Sequence, residues 1–174
     1  MREPEGTWQD SWFGPFKSWY ASGKARHIGI CDADDAILDE MAQAGQKPHV
    51  IQNWMDPLHQ DRAIRARCKR DGIQYQAYST LGTQWEMQGF KRNPVLTNKV
   101  LLAIAAKHGV AVPSVVLQWA VRQGVAVLPS SRKEAHQRTN LESMQGFALS
   151  EDEMARIDAL DGMQHESHGG DDEV

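Results

Sequence analysis

The sequence predicts an α/β fold of parallel strands with helices packed against them. Two observations lead there. Strand-like and helix-like apolar patterns alternate along the chain, which implies parallel strands joined by right-handed crossovers. The strands are also short and nearly continuously apolar, as expected when helices cover one face and a core covers the other.

The elements follow in order. Residues 7–22 read as helical, with Trp8, Trp12, Phe16, Trp19 and Tyr20 spaced by three and four, broken or kinked at Gly14-Pro15 and ended by Gly23. His27 to Cys31 reads as a first strand. Asp32, Asp34 and Asp35 supply cap chemistry for a helix bearing Ile37, Leu38 and Met41, stopped at Gly45. Val50 to Trp54 is the second strand, residues 60–70 a basic helix with Ile64 and Cys68 on one face, and Ile73 to Ser79 the third strand. A loop rich in Gly, Gln and Asn runs from Thr80 to Asn93, where Trp85 and Met87 either cover a pocket or close the core. Helices over 97–108 and 113–123 follow, with Pro113 suited to a first turn. Val125 to Leu128 is the fourth strand and residues 133–143 a further helix. Ser150 and Glu153 make a capping box for a last helix bearing Met154, Ile157 and Leu160. An open four-stranded sheet and part of a (β/α)8 barrel both fit this pattern.

Composition narrows the function classes. At 174 residues with 24% charged and 41% hydrophobic residues, the chain suits one globular domain. A net charge of −4 argues against bulk electrostatic binding to nucleic acid or an anionic membrane. No apolar run approaches a membrane span, and "MREPEGTWQD" is no secretory signal. Cys31 and Cys68 stand alone, which suggests a reducing, cytoplasmic compartment. The seven histidines show no His/Cys pair at ligand spacing, so no metal site is expected. There is no GxGxxG fingerprint and no Walker loop. Residues 164–174 read as a disordered polar tail.

Five segments together resemble the aldo-keto reductase family. They are "GKARHIGICDA", "KPHVIQNWMDP", "AYSTLG", "NPVL" with "IAAKHGVAVPSVVLQWAVRQGVAVLPSS", and "NLESMQGFALSEDEMARIDALDG". In order, they are similar to the family's fifth to eighth strands and its C-terminal end. The resemblance implies a partial (β/α)8 barrel in which residues 1–163 form the C-terminal half. It also implies NAD(P)H-dependent interconversion of a carbonyl and an alcohol. The family's Asp, Tyr, Lys and His tetrad lies on the first four strands, so no residue here is carried over as catalytic, and the isolated chain is expected to be inactive.

What the resemblance does imply is a nicotinamide cofactor side. Tyr78 matches an aromatic ring that stacks on the nicotinamide. Gln52 matches a glutamine that bonds the carboxamide. A glutamine in an apolar strand needs partners, and a structural hydrogen bond within the sheet is the competing reading. Ser79, Leu81 and Gly82 match a loop passing the pyrophosphate, where small residues and backbone N–H groups permit close approach. Ser131 and Asn140 match contacts at the adenosine end, beside a helix whose positive N-terminus would face phosphate.

Several positions depart from the family pattern. Cys31-Asp32 replaces Ser-Asn, and Trp54 and Asp56 stand at the usual Glu and His positions after the sixth strand. Ser130 and His136 replace the Lys and Arg that grip a 2′-phosphate, and Thr139 replaces a Glu, with Arg132, Lys133 and Arg138 nearby. Either NADP or NAD is thus expected as cofactor. The alternative function is a non-catalytic nicotinamide-nucleotide-binding or interaction module on the same scaffold, and a decayed fragment is a third reading. The expected partners are a small carbonyl substrate, once an N-terminal half completes the barrel, and a second copy of the chain through strand edges exposed at 27–31 and 125–128.

Overall fold

The computed structural model describes residues 14–143 and 145–162. Four parallel strands form one sheet in chain order: β1 (Gly29–Cys31), β2 (Val50–Trp54), β3 (Gln74–Tyr78) and β4 (Ala126–Val127). The strands are those expected, with three of them shorter than the sequence suggested. Helix α1 (Gly14–Ala21) leads into β1, and Pro15 sits in its first turn, where a missing N–H costs nothing. The expected helix over residues 7–13, and the tail, lie outside the described residues.

Helix α2 (Asp35–Gln43) is capped by Asp34, whose carboxylate accepts the Ile37 N–H at 2.9 Å. Helix α3 (Arg62–Asp71) buries Ile64 and Cys68. Its polar face is more structured than a solvated face would be. The Arg67 side chain is only 12% exposed and reaches Asp39 at 2.6 Å and Asp35 at 2.9 Å.

Two expectations are corrected after β3. The stretch from Thr80 to Asn93 is not all loop: it holds a short helix, α4 (Thr83–Met87). Its composition gives no helical period, and what holds it is the tertiary bond of Trp85 described below. The helix expected over 97–108 is split into α5 (Pro94–Thr97) and α6 (Lys99–His108). Asn98 is the cause. Its backbone is extended (ψ 128°) and its side chain caps the N–H groups of Val100 and Leu101. Helices α7 (Val112–Arg122), α8 (Glu134–Glu142) and α9 (Glu151–Asp158) complete the set, α9 with the full Ser150/Glu153 capping box. Glu153 is buried and also binds Lys107 and His108 of α6, so one carboxylate both caps α9 and docks it. No single helix among the described residues is long and apolar enough to cross a membrane.

The helices pack on one face of the sheet. Ile51, Tyr75 and Ala77 turn to that side and join Met41, Ile64, Val115 and Trp119 in the core. The other face corrects the expectation of nearly continuous apolar strands. Its central row is Cys31, Gln52, Gln76 and Ala126, aligned by register across all four strands. Gln52 Nε2 donates to Gln76 Oε1 at 2.8 Å, and Gln74 is exposed one layer below. Alternation with period two is thus preserved, with polar groups toward the inner face.

Candidate functional site

The carboxyl ends of parallel strands are where such sheets bind ligands. Three of the described non-glycine residues have positive φ: Asp32 (50°), Asp61 (47°) and Ser79 (52°). All three follow strand ends or their loops. Backbone of this kind costs free energy and clusters where a site holds it in place. Asp32, Ala33, Asn53, Trp54, His59, Asp61 and Tyr78 line one cavity there of about 220 Å³. A larger recess of about 730 Å³ lies at the opposite strand ends, beside Tyr20, His27, Lys47 and His49. It contains none of the residues singled out by sequence, and the smaller cavity is the better candidate.

The sheet builds this cavity from behind. Asn53 is buried and clips the loop after β1 by donating to the Ala33 carbonyl (2.8 Å) and accepting the Ala33 N–H (3.0 Å). It donates also to Asp61 Oδ2 at 2.9 Å, and the Tyr75 hydroxyl donates to the same oxygen at 2.7 Å. Burial, with the bond to Asp61, pushes the Tyr75 phenol far above its ordinary range.

In front stand Tyr78 and Asp32. The Tyr78 hydroxyl donates to Asp32 Oδ1 at 2.8 Å. Burial and this bond push the phenol up to about 12, so at neutral pH Tyr78 keeps its proton and presents a ring. Gln52 lies in the next layer. Its Nε2 is taken by Gln76, so the structural hydrogen bond considered from sequence exists. Its Oε1 receives only the Cys31 thiol at 3.8 Å, which leaves an acceptor free for a ligand amide.

A buried carboxylate closes the side of the cavity. Asp56 Oδ2 accepts the indole N–H of Trp54 (2.9 Å) and of Trp85 (2.8 Å), while Oδ1 accepts the N–H of Leu58 and His59. Burial pushes this carboxyl up against the pull of the four donors. Trp54 stacks flat on His59 with ring centroids 3.9 Å apart. Trp85 therefore helps close the structure, and Met87, 76% exposed, covers nothing among the described residues.

The loop after β3 carries Ser79, Leu81 and Gly82. The Gly82 N–H donates to the Ser79 carbonyl at 2.8 Å, and Asn93 Nδ2 donates to the Leu81 carbonyl at 2.9 Å. A Cβ on Gly82 would stand 2.3 Å from Asn93 Oδ1, so packing alone requires glycine there. Thr80 is buried in the same loop, and its hydroxyl has no partner. An orphaned hydroxyl beside a small-residue turn fits a polar ligand group.

Ser131 and Asn140 sit apart from this cluster, beyond β4. Ser131 Oγ accepts the Lys133 N–H at 3.1 Å, and Asn140 gives its carbonyl to Ser143 Oγ at 2.6 Å. No side chain caps the N-terminus of α8. Arg138 pairs with Glu134 at 3.2 Å, while Arg132 and Lys133 are exposed.

Sequence reasoning missed Asn53, Asp56 and Asp61. For Asn53 the argument applied to Gln52, a polar amide inside an apolar strand, would have served. For Asp56 no local pattern announces that two indoles converge on it.

The model of the aldo/keto reductase family matches residues 6–162. Glyoxal reductase of Bacillus subtilis (strain 168) is 35% identical over 154 residues, covering 88% of this chain and 52% of that protein. The 9,11-endoperoxide prostaglandin H2 reductase of Trypanosoma cruzi (strain CL Brener) is 32% identical over 152 residues, covering 87% and 51%. Among solved structures, aldose reductase from Giardia lamblia superposes with a TM-score of 0.78 at 27% identity, covering 90% of this chain and 51% of that one. A variant of Gox0644 in complex with NADPH gives a TM-score of 0.75 at 27% identity, covering 86% and 53%. The chain spans about half the length of the curated relatives it matches. On the family match and these relatives, the chain belongs to the aldo/keto reductase family.

Proposed function

We propose that this chain forms the nicotinamide-cofactor side of an NAD(P)-dependent carbonyl reductase, with β1 to β4 standing for strands five to eight of the family's barrel. The observation that carries the reading is the convergence of Tyr78, Gln52 and Asp32 at the carboxyl ends of adjacent strands, with a free amide acceptor and an aromatic ring on the same face. The NADPH complex of a structural neighbour supports the cofactor class.

In this reading a bound nicotinamide supplies or takes up the hydride. Tyr78 holds the ring by stacking, and Gln52 Oε1 accepts a carboxamide N–H. The Ser79–Gly82 turn and the unpartnered Thr80 hydroxyl face the pyrophosphate. Ser131 and Asn140, with the uncapped start of α8, take the adenosine end. Tyr78 supplies no proton, because its hydroxyl is held by Asp32. The proton donor and the substrate-binding loops come from an N-terminal half of the barrel.

Calorimetric titration tests this. Tyr78→Phe, which keeps the ring, is expected to hold NADH affinity within about twofold, and Tyr78→Ala to weaken it at least about fivefold. No binding by the intact chain would refute the reading. With Ser130 and His136 in place of cations, and Arg138 engaged by Glu134, NAD and NADP are expected to bind within about tenfold of each other. A preference for NADP beyond about a hundredfold would instead assign the 2′-phosphate to Arg132 or Lys133.

The sheet edges are β1 and β4. They can pair with the N-terminal half or, in its absence, with a second copy in an isologous contact. Sedimentation of the isolated chain is expected to show self-association at micromolar concentration. A cooperative monomer would show that the polar inner face is stable uncovered.

A further inference from the structure

Asp32 places a charge where the two redox states of the proposed cofactor differ. Its backbone is left-handed (φ 50°) and its N–H is fixed to the Gln52 carbonyl at 3.0 Å. Its carboxylate accepts from the hydroxyl of Tyr78, the residue whose ring would carry the nicotinamide. No ion-pair partner reaches Asp32 among the described residues. Asp61 lines the same cavity and adds a second carboxylate, and the one basic side chain there is His59. The field at this end of the cavity is therefore negative.

Oxidised and reduced nicotinamide cofactors share their phosphates, riboses and adenine. They differ at the ring, which is cationic when oxidised and neutral when reduced. Charges elsewhere in the site cancel in the ratio of the two affinities, whereas a carboxylate beside the ring does not. We infer that Asp32 shifts the preference of this site toward the oxidised cofactor. The inference rests on the nicotinamide reading above. Asp32 is exposed, so a water-like dielectric sets the scale. Two unit charges about 4 Å apart in water then change the ratio about fivefold.

The test is calorimetric titration of the whole chain with NAD⁺ and with NADH, repeated for Asp32→Asn. Asparagine tolerates the same backbone region and can still accept from Tyr78. The ratio of the NADH dissociation constant to that of NAD⁺ is expected to fall about fivefold in the variant, through loss of NAD⁺ affinity. In the unaltered chain, the ratio is also expected to shrink as salt rises to about 1 M, where the Debye length is about 3 Å. A ratio unchanged in Asp32→Asn, with both forms still bound, overturns the inference and leaves the nicotinamide reading standing. Absence of binding by either form overturns both. If the variant does not fold, the salt series on the unaltered chain decides, and a ratio flat with salt overturns the inference.

Discussion

Given NADPH or NADH and a panel of reactive aldehydes, the isolated chain is expected to oxidise no more cofactor than buffer does. Adding an N-terminal barrel half should raise turnover by at least about 10²-fold. The reason lies in the proton inventory around the cavity. Tyr78 donates to Asp32 and holds its proton up to about pH 12. Tyr75 is buried and bonded to Asp61. Asp56 faces four donors and is sealed from the cavity by the indoles it holds. Hydride delivery to a carbonyl without a proton donor leaves an alkoxide, and general acid help is worth about 10²–10⁴ in rate. Asp32 and Asp61 accept hydrogen bonds there, and the one imidazole lining the cavity is His59, whose buried Nδ1 has no partner. Turnover lost in His59→Gln would name it as the acid. Turnover that survives both His59→Gln and Tyr78→Phe would refute the half-barrel account of the chemistry.

The strands and most helices were legible because each has a local cause. Asp34 and Ser150 are cap residues followed by the right donors, and Ile64 with Cys68 marks a buried stripe at helical spacing. The split at Asn98 was equally local, since an asparagine before an apolar run reads as a cap, but the periodicity of 97–108 masked it. The inner face was misjudged for a different reason. Gln52 and Gln76 lie 24 residues apart on neighbouring strands, and only the register Gln52↔Gln76 lets one amide satisfy the other. A residue whose type is unusual for its place, as with Gln52 in an apolar strand, is legible as a polar group in need of partners. The site was illegible where several distant segments share one atom. Trp54 and Trp85 meet on a single Asp56 oxygen, which lies 29 residues from Trp85 along the chain.

That convergence makes Asp56 the residue whose loss should cost the structure most. Its side chain is fully buried and all four of its hydrogen bonds are received from donors: two indoles and the Leu58 and His59 amides. Truncation leaves the two indoles and the Leu58 amide without an acceptor, while the His59 N–H keeps the Asp56 carbonyl at 3.1 Å, and orphaning donors is far worse than never having buried them. Asp56→Ala is therefore expected to lose about 3–5 kcal/mol, because each neutral donor left buried without a partner costs about 1–3 kcal/mol. Asp56→Asn keeps one oxygen but turns an amide N–H₂ against two donors, and should lose about 2–3 kcal/mol. Trp85→Phe removes one donor with its bond and most of the ring remains, so about 1–2 kcal/mol is expected. The order Ala, Asn, Phe is the content of the prediction, because a simple loss of side-chain volume would rank Trp85→Phe with Asp56→Ala. Urea unfolding followed by tryptophan fluorescence measures it, and the site should respond in step. Trp54 and His59 form one wall of the cavity, so freeing them should weaken NADH binding in Asp56→Asn even where the chain is still folded. Asp56→Ala within about 1 kcal/mol of the unaltered chain would show that water reaches the freed donors, and that the wall is not held by this carboxylate.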